Sequence, residues 1–198
     1  MLSDKIFVER YRELHHRSIP DFIHELDEPQ LHFSINDANP IVWIYWHMLR
    51  TMDVGISRFV MERPQIYPIF ADAVNFRTNL NGTGMSKEDA LRVSKDLRIE
   101  GLINYHKGLN ERLTLVLEDL DSFNLGEKPP RELIRQVTCN EQLIPEGAWH
   151  LANSYYGKSR GWFLLHMCLT HPYMHLGQMT MLAAIAANEN HTVGQVMS

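Results

Sequence analysis

His171 and His175 stand four residues apart near the C-terminal end of the chain. On a helix this spacing projects both rings from one face, about one turn apart, where they can share a metal ion. Spacing alone says little, because 11 histidines in 198 residues give roughly 0.6 such pairs by chance. Their place in the pattern says more. Leu164, Cys168, His171, His175, Gln178 and Leu182 follow one inward stripe, so polar groups occupy positions that packing would otherwise give to Leu or Ile. Two buried imidazoles without partners would cost a few kcal/mol, and protonating both would set like charges one turn apart. A shared divalent cation removes both problems.

A catalytic centre of this kind takes about three protein ligands and keeps one position open. A further donor is therefore expected from a neighbouring helix. His47 is the leading candidate, set in Trp43-Ile44-Tyr45-Trp46-His47-Met48-Leu49-Arg50, the most apolar stretch of the chain. Its other reading is a core histidine bonded to a backbone carbonyl. His106 ranks below it, as a fourth donor or as a support behind the ligands. Cys168 is a soft donor within reach, or a packed thiol. His166, five residues before His171, points away from the pair. Gln178, one turn past His175, and Asp53, six residues past His47, are candidate supports, Asp53 as an ion-pair partner rather than a ligand. Each also reads plainly, as a helix-contact Gln and an exposed Asp. No separate catalytic side chain is legible beyond a nucleophile activated at the metal. Trp43, Tyr45 and Trp46 read as core more readily than as a substrate platform.

The elements that must position these residues read as helices, with a period near 3.6 in four stretches and turn residues between them. The first covers residues 3–26, with Pro20 marking a kink or break at Ile19. The second opens with Asn39 as N-cap and Pro40 in the first turn, then runs to about Met61 before Pro64. It is apolar on every side and so buried on every side. The third opens at Ser86, with Asp89 three residues on, and its stripe of Leu102, His106, Leu109, Leu113, Val116 and Leu120 carries it to about Phe123. The fourth covers residues 161–187, with Asn188 as its stop. Connections at residues 62–85 and 125–159 are too long for tight turns. The expectation is an all-α, four-helix bundle with long crossover connections, one domain over residues 1–198.

Composition narrows the classes. With 24 acidic against 19 basic residues, a net charge of −5 and no basic block, the chain lacks the positive footprint that nucleic acid requires. No run approaches the length of apolar residues a membrane span needs, and Asp4, Lys5, Glu9 and Arg10 interrupt any signal-like start. A cytoplasmic chain is expected, with Cys139 and Cys168 as thiols.

The segment Trp43-Ile44-Tyr45-Trp46-His47-Met48-Leu49-Arg50-Thr51-Met52-Asp53, paired with His171-Pro172-Tyr173-Met174-His175-Leu176-Gly177-Gln178, resembles the DinB/YfiT-like superfamily, whose members are regarded as metal-dependent enzymes. Gly82-Thr83-Gly84-Met85-Ser86 is also similar to the turn that opens the third helix in some members. The resemblance implies a divalent metal held by His47, His171 and His175 inside the bundle. Imidazole suits zinc, nickel, iron and copper alike; zinc, nickel or iron is the expectation. It further implies a small-molecule substrate and one of two uses of the centre: activating a low-molecular-weight thiol cofactor for transfer to an electrophile, or activating water for hydrolysis. The alternative is a non-catalytic, stress-related bundle whose metal or histidine cluster is structural. Members often pair, which implies a homodimer. Two positions depart from the family pattern. Pro172 removes a helical hydrogen bond and crowds the Cys168 carbonyl, so a kink is expected at the site. Leu176 stands where a basic residue is common.

Overall fold

The computed structural model describes residues 2–196, with only the backbone of 2–3 and 189–196. Among the described residues every regular element is helical. The first long stretch is α1 (Leu2–Glu13), a π-helical turn at Leu14–Ser18 and α2 (Ile19–His24). After the short α3 (Glu28–His32), α4 (Ile41–Asp53) continues as a π-helical segment, Val54–Val60. Then come α5 (Tyr67–Val74), α6 (Lys87–Ser94), α7 (Ile99–Glu118) and α8 (Arg131–Arg135). The last stretch joins α9 (Arg160–Leu165), a π-helical turn at His166–Thr170 and α10 (His171–Val196). Long helices from the four expected regions form the bundle, and the connections carry the short ones.

All 13 residues of α4 are buried, as an apolar perimeter requires. It packs against both α7 and α10, with α3 and α6 also in contact. The main core gathers Trp46, Leu49, Met52, Leu102, Tyr105, Leu109, Leu164 and Leu182 around it. A second core joins Val54, Phe59, Phe163 and Met167 to Ile134, Val137, Ile144 and Ala152. The long connection at 125–159 is thus folded onto the side of the bundle, where it forms α8, a π turn and the 3-10 segment Glu146–Tyr155.

Four boundaries differ from expectation. Pro40 is the capping residue rather than the first helical one: its φ of −58° with ψ of 150° serves the extended cap, and its carbonyl accepts from Ile44 N–H at 3.0 Å. The third helix is broken between α6 and α7. Ser86 does cap its start, accepting from Asp89 N–H at 3.1 Å. The break is held from outside, where Arg98 N–H donates to the Val74 carbonyl (3.1 Å) and Asn75 Nδ2 donates to that of Asp96 (2.9 Å). The helix then closes at Glu118, and a 3-10 turn follows at Leu120–Phe123. At the other end Asn188 is no stop, because the backbone of α10 stays helical to Val196.

Pro20 and Pro172 interrupt the first and last long helical stretches in the same way. Each lies just past a π turn that absorbs its missing donor. At the first, Ile19 N–H reaches back to the Leu14 carbonyl and Pro20 has no N–H. The His15 carbonyl accepts from Asn110 Nδ2 at 3.3 Å.

Candidate metal centre

His47 enters from the middle of α4, with Trp43 one turn earlier stacked on it (centroids 5.2 Å apart, planes at 15°). Its Nδ1–H donates to the Asn81 carbonyl at 2.5 Å, which leaves Nε2 as a free lone pair. That carbonyl is held in turn. Asn81 is fully buried, its N–H donates to Leu143 O at 3.1 Å, and its Oδ1 accepts from Thr83 N–H at 3.0 Å. The next residue must be glycine on two counts. Gly82 has φ of +95°, and a Cβ there would lie 2.9 Å from Trp43 and 3.0 Å from His47 Nδ1. The Asn-Gly turn is thus pressed against the ring it orients.

His171 and His175 come from the first turns of α10. Their rings meet edge to face at 4.2 Å, with the two Nε2 atoms 2.9 Å apart. His47 approaches both, with ring centroids at 5.1 Å from each. Ring nitrogens of the three lie within 4.8 Å of one another, close enough to bind one ion. Gln178 Oε1 accepts from His175 Nδ1–H at 2.7 Å, which turns the Nε2 lone pair of that ring toward His171. His171 Nδ1 is buried with no hydrogen-bond partner.

Burial keeps all three imidazoles neutral. It lowers His47 to about 4, with the neighbouring His175 adding to the effect and the Asn81 carbonyl opposing it. It lowers His171 to about 2, helped by His47, His175 and His166, and it lowers His175 against the pull of Gln178. Neutral rings are ready ligands. The residues present fit a divalent ion in donor type, number and protonation. Although Leu164, Cys168 and Leu182 are buried, Gln178 on the same stripe is exposed. The face opens there into a cavity of about 320 Å³ bordered by His47, His175, Trp43, Ile44, Met181 and Asp37.

The remaining sequence candidates are engaged elsewhere. His106 uses both nitrogens, on His15 (2.9 Å) and on the Tyr45 hydroxyl (3.0 Å), so it is no fourth donor. Asp53 is a fully buried carboxylate rather than an exposed one. It accepts from Ser57 Oγ, Tyr105 Oη and the N–H groups of Ile66 and Tyr67 at 2.7–3.0 Å, capping the start of α5. The Cys168 thiol is buried in the core, and burial drives its pKa up, so it is packed rather than reactive. His166 stacks on Trp162 at 4.5 Å. Sequence reasoning passed over Asn81 and His15. The Asn-Gly turn was the visible signal for the first, and nothing local marked the second.

No curated protein matches the chain. The profile of the DinB superfamily matches residues 13–179, a span that contains all three histidines and the turn at Asn81. The chain belongs to the DinB superfamily.

Proposed function

We propose that the chain is a divalent-metal-dependent enzyme that activates a low-molecular-weight thiol, or water, for attack on a small and largely apolar substrate. The observation that carries this is the convergence of three neutral imidazoles beside a ligand-sized cavity, with His47 and His175 in its wall. A divalent ion held by three neutral ligands keeps its full charge and acidifies a thiol or water brought to it. The chain's own part is to fix the ring nitrogens through Asn81 and Gln178 and to offer Trp43, Ile44 and Met181 to the substrate. Among the described residues lining the cavity Asp37 is the one carboxylate, and no Lys or Arg joins it. This favours an uncharged or cationic substrate over an anionic one. Engagement of His106 elsewhere supports a centre with three protein donors and an open position, against a purely structural site. A cytoplasmic setting, no role for nucleic acid, and pairing into a homodimer belong to the same reading.

The test is elemental analysis of untagged protein beside His47→Ala, His171→Ala and His175→Ala, followed by thiol transfer and hydrolysis assays on a panel of small electrophiles. About one equivalent of zinc, nickel or iron is expected in the parent protein, and less than about a tenth of that in each variant. Metal retained in all three variants removes the site. Stoichiometric metal with no turnover on any thiol or ester substrate favours the non-catalytic alternative.

A further inference from the structure

His171 differs from the other two rings in what holds it. His47 is oriented by the Asn81 carbonyl and His175 by Gln178, whereas His171 Nδ1 has no partner. Its place is therefore set by the backbone that carries it. That backbone is irregular: the π turn His166–Thr170 runs directly into His171, and Pro172 follows. Pro172 has no N–H for the Cys168 carbonyl four residues before it. His15 Nε2 lies 2.8 Å from that oxygen, and both residues are fully buried.

The protons in this region can be placed by elimination. A carbonyl only accepts, so His15 carries its proton on Nε2 and presents Nδ1 as an acceptor. His106 Nε2–H donates to it at 2.9 Å, which leaves His106 Nδ1 to accept the Tyr45 O–H at 3.0 Å. The bonds all run one way, from Tyr45, two residues before His47, to the Cys168 carbonyl, three residues before His171.

We propose that His15 is a positioning residue for the metal centre: it supplies to the Cys168 carbonyl the hydrogen bond that Pro172 cannot, and so fixes the turn that presents His171. The proposal rests on the metal-binding reading above. It makes Pro172 and His15 a coupled pair, joining residues far apart in sequence at one oxygen atom. A proline between two ligands is then tolerated because the first helix repairs it.

Two substitutions separate the two nitrogens of His15. In His15→Asn the amide stands where Nδ1 stood, keeping an acceptor for His106 and losing the bond to Cys168. In His15→Gln the amide reaches the place of Nε2 and keeps that bond. The measurement is Co(II) affinity and the visible ligand-field spectrum of each full-length variant, alone and combined with Pro172→Ala, which restores a backbone N–H at the position from which an α-helical bond reaches the Cys168 carbonyl. We expect His15→Asn to weaken Co(II) binding about 10-fold and to shift the spectrum, with His15→Gln within about threefold of the parent. In the Pro172→Ala background the loss caused by His15→Asn should shrink to about threefold or less. An unchanged Co(II) affinity and spectrum in His15→Asn, even with a lowered melting temperature, overturns the proposal, as does strict additivity with Pro172→Ala. Should His15→Asn not fold, recovery of fold and Co(II) binding on adding Pro172→Ala supports the coupling, and no recovery overturns it. Failure of the parent protein to bind Co(II) instead rejects the metal centre itself.

Discussion

Among the described residues two histidine clusters lie on different faces of α4, and they look alike by distance. In each, two ring nitrogens lie 2.9 Å apart, and in each, burial lowers the imidazole pKa values. They differ in whether the hydrogen bonds close. The line through Tyr45, His106 and His15 ends on a carbonyl, so every nitrogen has one assigned role and no lone pair is left over. Around His47, His171 and His175 the outer nitrogens of two rings are tied to acceptors, which aims their remaining lone pairs at a common point. Convergent lone pairs beside a cavity suit a cation; a closed line offers it nothing. Distance and burial alone would have classed the two clusters together.

The contrast can be broken by exchanging their fates. His47→Ala should abolish metal binding, whereas His106→Leu should leave it within about twofold while lowering stability by about 3 kcal/mol, because the Tyr45 hydroxyl and His15 Nδ1 are left unpaired in the core. Metal titration and urea unfolding of both variants read the two effects, and metal loss in His106→Leu would erase the distinction. Gly82→Ala should come next. Its positive φ and the contact at 3.0 Å to His47 Nδ1 predict a metal affinity 10- to 100-fold weaker, by isothermal titration, with roughly 1–2 kcal/mol of stability lost as well. Gln178→Leu frees one ring nitrogen on an exposed face, so its loss of affinity should be smaller, about 10-fold.

Acidity acts on both clusters. Burial holds His15 near 4, below its ordinary 6.5, so between those values the unfolded chain takes up a proton that the fold refuses. Stability is therefore complete above about pH 6.5 and is lost as the pH falls toward 4, on the order of 3 kcal/mol for His15 alone. Urea unfolding of metal-free protein across that interval should show the decline. Adding metal should steepen it, since protons also compete for the three ligands. A flat profile would mean that water reaches these rings.

Much of the architecture was legible because it rests on local signals. The apolar perimeter of residues 41–52 could only be a buried helix, and the place of His171 and His175 on an inward stripe pointed to a shared ion before any neighbour was known. What escaped was set from a distance. Neither Pro nor Gly marks the break between α6 and α7, which is fixed by Val74 and Asn75 at the C-terminal end of α5. Pro172 announced a disturbed turn, yet its remedy, His15, lies 153 residues earlier than Cys168. Asp53 read as an ion-pair partner behind the site or as an exposed Asp, because sequence pattern cannot reveal that the start of α5 folds back over it. His106 sat on the correct stripe, but a stripe does not say which buried neighbour a ring will meet.

The indole of Trp43, lying flat on His47, gives the protein a built-in optical reporter. An open-shell ion drawn to that imidazole would sit within quenching range of the indole and dim its emission. Occupancy of the centre by such an ion could thus be followed by fluorescence in the unlabelled molecule.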